Sequence, residues 1–282
     1  MKKQWLFTCM TAFLLAHTSC VTDESIMEMG ASNVESRNCT EEEQVHSLVE
    51  QARQGEAEAY KSLAFCYRDG KGVEKSYLNA IFMYLVYCQK TGQELETGIE
   101  LFEEGNPYRL LIEILNSPEL NQETLRKVDQ LQLIAPAEAK TLRAMIDQHD
   151  NSDNNNNVLN ILQEAESEGS ELARLVQAFY YEESKDTIMY QQCLFRTAEK
   201  HPFLYPQLAR IFEEKYYEDE DFTNIQKAME YYYKTDSYGM LAPRQANNLW
   251  SIYDYFSKKG LLEYDEQEVE RLKKIIKTEK GK

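Results

Sequence analysis

From Tyr77 to Cys88 the chain reads YLNAIFMYLVYC, and its apolar positions fall into two adjoining stripes. Leu78, Ile81, Phe82 and Leu85 make one, and Tyr77, Ala80, Tyr84 and Cys88 make the other. Spacings of three and four residues predict a helix. Together the stripes give an apolar face too wide for a helix resting on a single neighbour, so this helix is expected between others, as in a stacked array. Beyond Glu41 no segment alternates as a half-buried strand would. Pro107, Pro118 and Pro136 each stand where a helix can begin, because the first turn tolerates a residue without an N–H. The segments SPELNQETLRKVDQLQLIAP and AEAKTLRAMIDQHD read as two more helices. Asp265 with Glu268 resembles a capping box in front of EVERLKKIIK, whose polar outer face suits a terminal helix.

The pattern repeats. AYKSLAFCY (Ala59–Tyr67), LYPQLARIF (Leu204–Phe212) and QANNLWSIY (Gln245–Tyr253) share Leu at the fifth place and an aromatic at the ninth. NAIFMYLVY (Asn79–Tyr87) and KAMEYYYKT (Lys227–Thr235) share Ala at the second place and Tyr at the sixth. A further unit lies in LVQAFYYEESKDTIMYQQCLFRTAEKHP (Leu175–Pro202), with its register open by one residue. Degenerate repetition at roughly 35–40 residues is the mark of paired-helix arrays.

The stretch Gly55–Gly92 resembles the Sel-one-like repeat, a relative of the tetratricopeptide repeat. Ala57 and Ala59 supply the small-residue opening, followed by Leu63, Ala64, Tyr67, Gly70, Gly72 and Val73, then Ala80, Met83 and Tyr84 in the second helix. Ala64 replaces the glycine of the family pattern and Asn79 its lysine. The copies between 158 and 260 have lost the loop glycines. The resemblance implies an all-α fold, a right-handed superhelix of antiparallel helix pairs. NSDNNNN (Asn151–Asn157) favours turns over helix. It is expected to divide a lobe at 41–150 from one at 158–282.

At the N-terminus, Lys2 and Lys3 precede an apolar run from Trp5 to Ala16, too short for a permanent bilayer span. Thr18, Ser19 and Cys20 follow, and the segment resembles the lipobox of bacterial lipoproteins, although His17 stands where an aliphatic residue is usual. Residues 1–19 are read as a signal peptide, Cys20 as the lipidated first residue of the mature chain, and 20–40 as a polar tether. Asp23 and Glu24 resemble acidic tags for surface export. The expected place is the outer membrane, facing the periplasm or the exterior.

Composition narrows the chemistry. A net charge of −17 repels phosphate backbones and excludes nucleic acid as a natural partner. The glycines of RDGKGVEKS lack the spacing and the preceding strand of a phosphate loop. Gly70 suits the left-handed end of one helix, Gly72 relaxes the turn, and Ser76 caps the next helix. His17, His46, His149 and His201 show no metal-ligand spacing, and no nucleophile sits in a recognisable elbow. No cofactor or metal is expected. Export implies an oxidising compartment. Cys66 and Cys88 would lie about 4–5 Å and about 18 Å from the hairpin turn, too far apart for a disulfide, which needs Cα atoms within about 7 Å. Cys39 is the better placed partner for Cys66. The acidic runs TEEEQ and YYEDEDF (Tyr216–Phe222) read as solvated faces, with basic-peptide contact the other reading.

Nineteen tyrosines raise the question of a binding surface. Tyr231, Tyr232 and Tyr233 cannot all point inward, since successive helical residues turn by about 100°. One or two are expected to be exposed as a candidate binding surface. The function implied is non-catalytic: a scaffold or adaptor for a protein or peptide at the cell envelope. An immunity-type inhibitor of a secreted toxin and an envelope hydrolase on a helical scaffold are the alternatives. A deep pocket with convergent polar groups would mark the hydrolase.

Overall fold

A computed structural model describes residues 40–93, 101–115, 121–150 and 155–280. Among these residues the secondary structure is helix with turns and no strand, so the fold is all-α. The helices are α1 (Glu41–Arg53), α2 (Ala57–Asp69), α3 (Tyr77–Thr91), α4 (Pro107–Leu115), α5 (Gln122–Ile134), α6 (Pro136–Asp150), α7 (Asn155–Ser167), α8 (Glu171–Glu183), α9 (Thr187–Ala198), α10 (Tyr205–Asp219), α11 (Phe222–Ser237), α12 (Pro243–Lys258) and α13 (Glu266–Lys280). A 3-10 turn at Pro202–Leu204 precedes α10. The proposed signal peptide, Cys20, most of the tether, Cys39 and Pro118 lie outside the described residues.

Polar side chains set the helix starts. Thr40 and Glu43 form a reciprocal capping box on α1. Ser76, Asn121, Ser170, Asp186 and Asp221 each accept a first-turn backbone N–H. Pro107, Pro136 and Pro243 open their helices, where no N–H is needed. Asp265 accepts from the N–H groups of Gln267 and Glu268, but Glu268 spends its carboxylate on Arg271 instead of closing the box.

The helices pair with their sequence neighbours, α2 on α3, α8 on α9, α10 on α11 and α12 on α13. They gather into two compact units. One holds 94–204. The other joins the described residues 40–93 to 205–280. The division therefore does not fall at the Asn-rich segment. Asn155–Asn157 already belong to α7, which packs on both α6 and α8, and 151–154 lie outside the described residues.

In the second unit α1 and α13, the first and last described helices, are joined through one carboxylate. Arg53 at the end of α1 and Arg271 on α13 both reach Asp236 at 2.8 and 2.9 Å, and the Asp236 side chain is only 6% exposed. A carboxylate so removed from water persists because two guanidinium groups face it. The Tyr60 hydroxyl lies 2.9 and 3.0 Å from the carbonyls of Ala52 and Gly239. Gly239 itself, at φ +70, leaves no room for a Cβ, which would stand 2.9 Å from the Ala52 Cβ. The core behind this seam includes Ala209, Ile225, Tyr232, Ala246, Leu249 and Leu272.

Candidate functional site

The repeat positions occupy equivalent places. Leu63, Leu208 and Leu249 are buried, as are Ala59, Ala64, Ala80 and Ala228, and Tyr67, Phe212 and Tyr253 at the ninth place. Tyr84 and Tyr232, both sixth in their repeat segments, are each 1% exposed. Gly70 ends α2 at φ +72, with its N–H on the Cys66 carbonyl at 2.8 Å. Gly72 does more than relax the turn. A Cβ there would stand 2.4 Å from the Glu41 carbonyl oxygen and 2.9 Å from Val45 Cγ2, so the turn after α2 lies directly against the start of α1. Val73 beside it is half-buried.

The three consecutive tyrosines of α11 divide unevenly. Tyr232 is core: its hydroxyl donates to Glu213 Oε1 at 2.7 Å and accepts from Asn248 Nδ2 at 3.2 Å. Burial raises its pKa, and the Glu213 charge adds to the shift. Tyr231 and Tyr233 are half-buried and pack against the same core. Tyr231 stacks on Phe212 with ring centroids 5.7 Å apart and meets Tyr205 at 5.9 Å, with Lys234 Nζ 5.1 Å above it. None of the three is an exposed ring. A stripe two residues wide plus its flanks takes in three adjacent positions when the helix is packed on both sides.

The exposed aromatics lie elsewhere in this unit. Tyr217 is 80% exposed, Tyr264 58% and Tyr255 48%. Tyr217 and Tyr255 belong to one run of ring contacts. Tyr217 meets Tyr216 at 5.8 Å, Tyr216 meets Phe256 edge-on at 5.4 Å, and Phe256 meets Tyr255 at 4.9 Å. Phe222 closes on Phe256 at 5.0 Å. The buried Phe256 and the half-buried Tyr216 in the middle join α10 to α12, and the rings at the two ends of the run face water. Lys259 Nζ sits 4.4 Å over the Tyr255 ring, and its ammonium is favoured first by the Tyr255 hydroxyl and then by the nearby Tyr216 and Glu220. A sequence signal for this surface did exist. Tyr217 follows Leu208, Ile211 and Phe212 off the buried stripe of its helix, within the YYEDEDF run.

The other unit supplies a hollow of about 340 Å³ beside Gln132 of α5, Arg143 and Asp147 of α6 and Ile161 of α7. Its two bases are paired: Lys140 with Glu164 and Glu168, and Arg143 with Asp129 at 2.7 Å. Glu138, 5% exposed, accepts from the Tyr108 hydroxyl at 2.7 Å and from the N–H of Glu171 at 3.1 Å, tying α4 and α6 to the start of α8. His201 is buried beside Phe203, and burial, with Arg174 and Lys200 nearby, lowers its pKa to about 4, a neutral imidazole inside the fold. Burial likewise raises the thiols of Cys66 and Cys193, away from the reactive thiolate. Among the described residues no group of three or more His, Cys, Asp or Glu side chains is arranged to hold a metal, and no helix is long and apolar enough to cross a membrane.

No model of a known protein family and no curated protein matches the chain. A solved structure similar to it is that of c5321, a protective antigen present in uropathogenic Escherichia coli strains, displaying an SLR fold. The identity is 16% and the TM-score 0.41, over 82% of this chain and 56% of that one. So distant a likeness decides nothing about this chain, whose fold rests on its own helices.

Proposed function

We propose that the chain is a non-catalytic scaffold that holds a protein or peptide at the bacterial cell envelope. The observation that carries this reading is the run of ring contacts from Tyr217 on α10 to Tyr255 on α12, whose two end rings are exposed. Rigid aromatic side chains half in water are the anchors that protein interfaces use most. The hydrolase reading loses support where it would need it, because both bases of the hollow, Lys140 and Arg143, are already held by carboxylates. The envelope assignment rests on the leader-like segment and Cys20 in the sequence.

Two experiments test it. Crosslinking in intact cells, followed by mass spectrometry, is expected to capture the same protein repeatedly, and capture of nothing above an unrelated lipoprotein control overturns the scaffold reading. Cys20→Ala is expected to move the chain out of the membrane fraction. An unchanged distribution overturns the lipid anchor.

A further inference from the structure

The partner's chemistry can be narrowed further, on the basis of the scaffold reading. Tyr217 lies in a stretch with five acids and one base, running Glu214, Lys215, Glu218, Asp219, Glu220 and Asp221. Glu214, Glu218, Asp219, Glu220 and Asp221 are all exposed. Glu214 stands three positions before Tyr217 on α10, on the tyrosine's side of the helix. The rings offer π faces and the surrounding carboxylates supply negative charge, which is how aromatic surfaces hold cations. The molecule already shows the preference within itself, since Lys259 is seated over Tyr255.

A second copy of the chain is a poor occupant. A two-fold contact on this face would set the same acids against each other in a protein of charge −17. We infer that the Tyr217–Tyr255 surface is the docking site for a cationic, arginine-bearing peptide segment of a partner protein. Arginine fits better than lysine because its planar guanidinium both stacks on tyrosine and bonds a carboxylate with two parallel N–H groups.

The test uses the purified full chain and fluorescence anisotropy with a labelled peptide of alternating glycine and arginine. Matched peptides carry lysine or glutamate in place of arginine. The arginine peptide is expected to bind, the lysine peptide more weakly and the glutamate peptide not at all, with affinity falling as salt rises. Tyr217→Ala and Tyr255→Ala are each expected to weaken binding about fivefold, the loss of one cation–π contact. Tyr264→Ala, at an exposed ring packed on Tyr253 outside this run, is expected to leave it unchanged. Helical circular dichroism of each variant reports an intact fold.

Equal losses for Tyr217→Ala and Tyr264→Ala overturn the proposal, because they reduce the binding to the chain's overall charge. So does self-association in sedimentation that Tyr217→Ala abolishes, since the occupant is then a second copy. A partner captured in cells whose binding survives Tyr217→Ala with Tyr255→Ala also overturns it, while leaving the scaffold reading in place.

Discussion

The α2–α3 and α10–α11 hairpins start from the same positions and end differently. Leu63 and Leu208, Tyr67 and Phe212, Ala80 and Ala228, and Tyr84 and Tyr232 are buried alike. Past the shared aromatic, α2 stops within a turn at Gly70, and Gly70–Ser76 connect it to α3. Helix α10 runs on through Tyr216, Tyr217, Glu218 and Asp219, and only Glu220 and Asp221 connect it to α11. Both helices stop the same way. The N–H of Gly70 bonds the Cys66 carbonyl and that of Glu220 the Tyr216 carbonyl, each at 2.8 Å, with φ +72 and +55. Lys185 repeats the left-handed position between α8 and α9 at φ +60. Loss of the loop glycines thus did not remove the turn. It traded a relaxed residue for a strained one, and in α10 the added turn carries the aromatic and acidic surface.

The largest expected effect lies in the first hairpin. Gly72→Ala drives a methyl into the Glu41 carbonyl from a left-handed backbone and is expected to destabilise by about 3 kcal/mol in urea unfolding. Gly260→Ala shares the positive φ but meets nothing within 4 Å, and about 1 kcal/mol is expected there. Equal losses would mean that contact with α1 adds nothing to the glycine requirement. The second hairpin is tested by Tyr232→Phe, which removes the hydroxyl donor to the half-buried Glu213. The expected loss is about 1.5 kcal/mol, and a loss near zero would show that Asn248 or water takes over.

Much of this comparison was legible in the sequence, and the reason is periodicity. Leu, Ala and aromatic positions recur because each helix pair buries the same stripe, so the paired helices follow from aligning KAMEYYYKT with NAIFMYLVY. Tyr232, by contrast, grouped with Tyr231 and Tyr233 as a candidate binding surface, takes the buried place of Tyr84. What does not recur could not be read that way. The close approach of Gly72 to α1 depends on where a helix outside the repeat lies. Asp236 meets Arg53 across most of the chain's length, a pairing that no local pattern encodes. The surface at YYEDEDF was legible only in part. Tyr217 falls off the buried stripe of its helix, but the contact of Tyr216 with Phe256 of α12 depends on packing between helices.

Backbone strain gives the next, smaller test. Glu220→Gly and Lys185→Gly each remove a side chain from a left-handed position, a conformation that burdens an L-residue by about 1–2 kcal/mol. Part of that gain is lost to the greater freedom of glycine in the unfolded chain. Net stabilisation of about 0.5–1 kcal/mol is expected for each, against a loss of about 1 kcal/mol for Gly70→Ala, read as shifts in urea midpoint. If all three substitutions destabilise, the helix ends are not equivalent.

The finest distinction is one of pH. Where Arg68 follows Tyr67 in the first hairpin, Glu213 follows Phe212 in the second. Burial raises the Glu213 carboxyl above its ordinary value, with the Tyr232 hydroxyl pulling it back and Glu214 adding to the rise. The folded chain therefore holds this proton at pH values where the unfolded chain has released it. Its contribution to stability is fully present below the ordinary value of 4.5 and declines as pH rises through the folded value. Glu213→Gln keeps an acceptor for Tyr232 and removes the titration. Melting temperatures between acid and neutral pH are expected to show the variant gaining on the parent as pH rises above 4.5 and levelling off once Glu213 is ionised in the fold. A constant difference across the range would mean that Glu213 titrates alike folded and unfolded. In that event, the two hairpins would differ in the surface they present and not in what they bury.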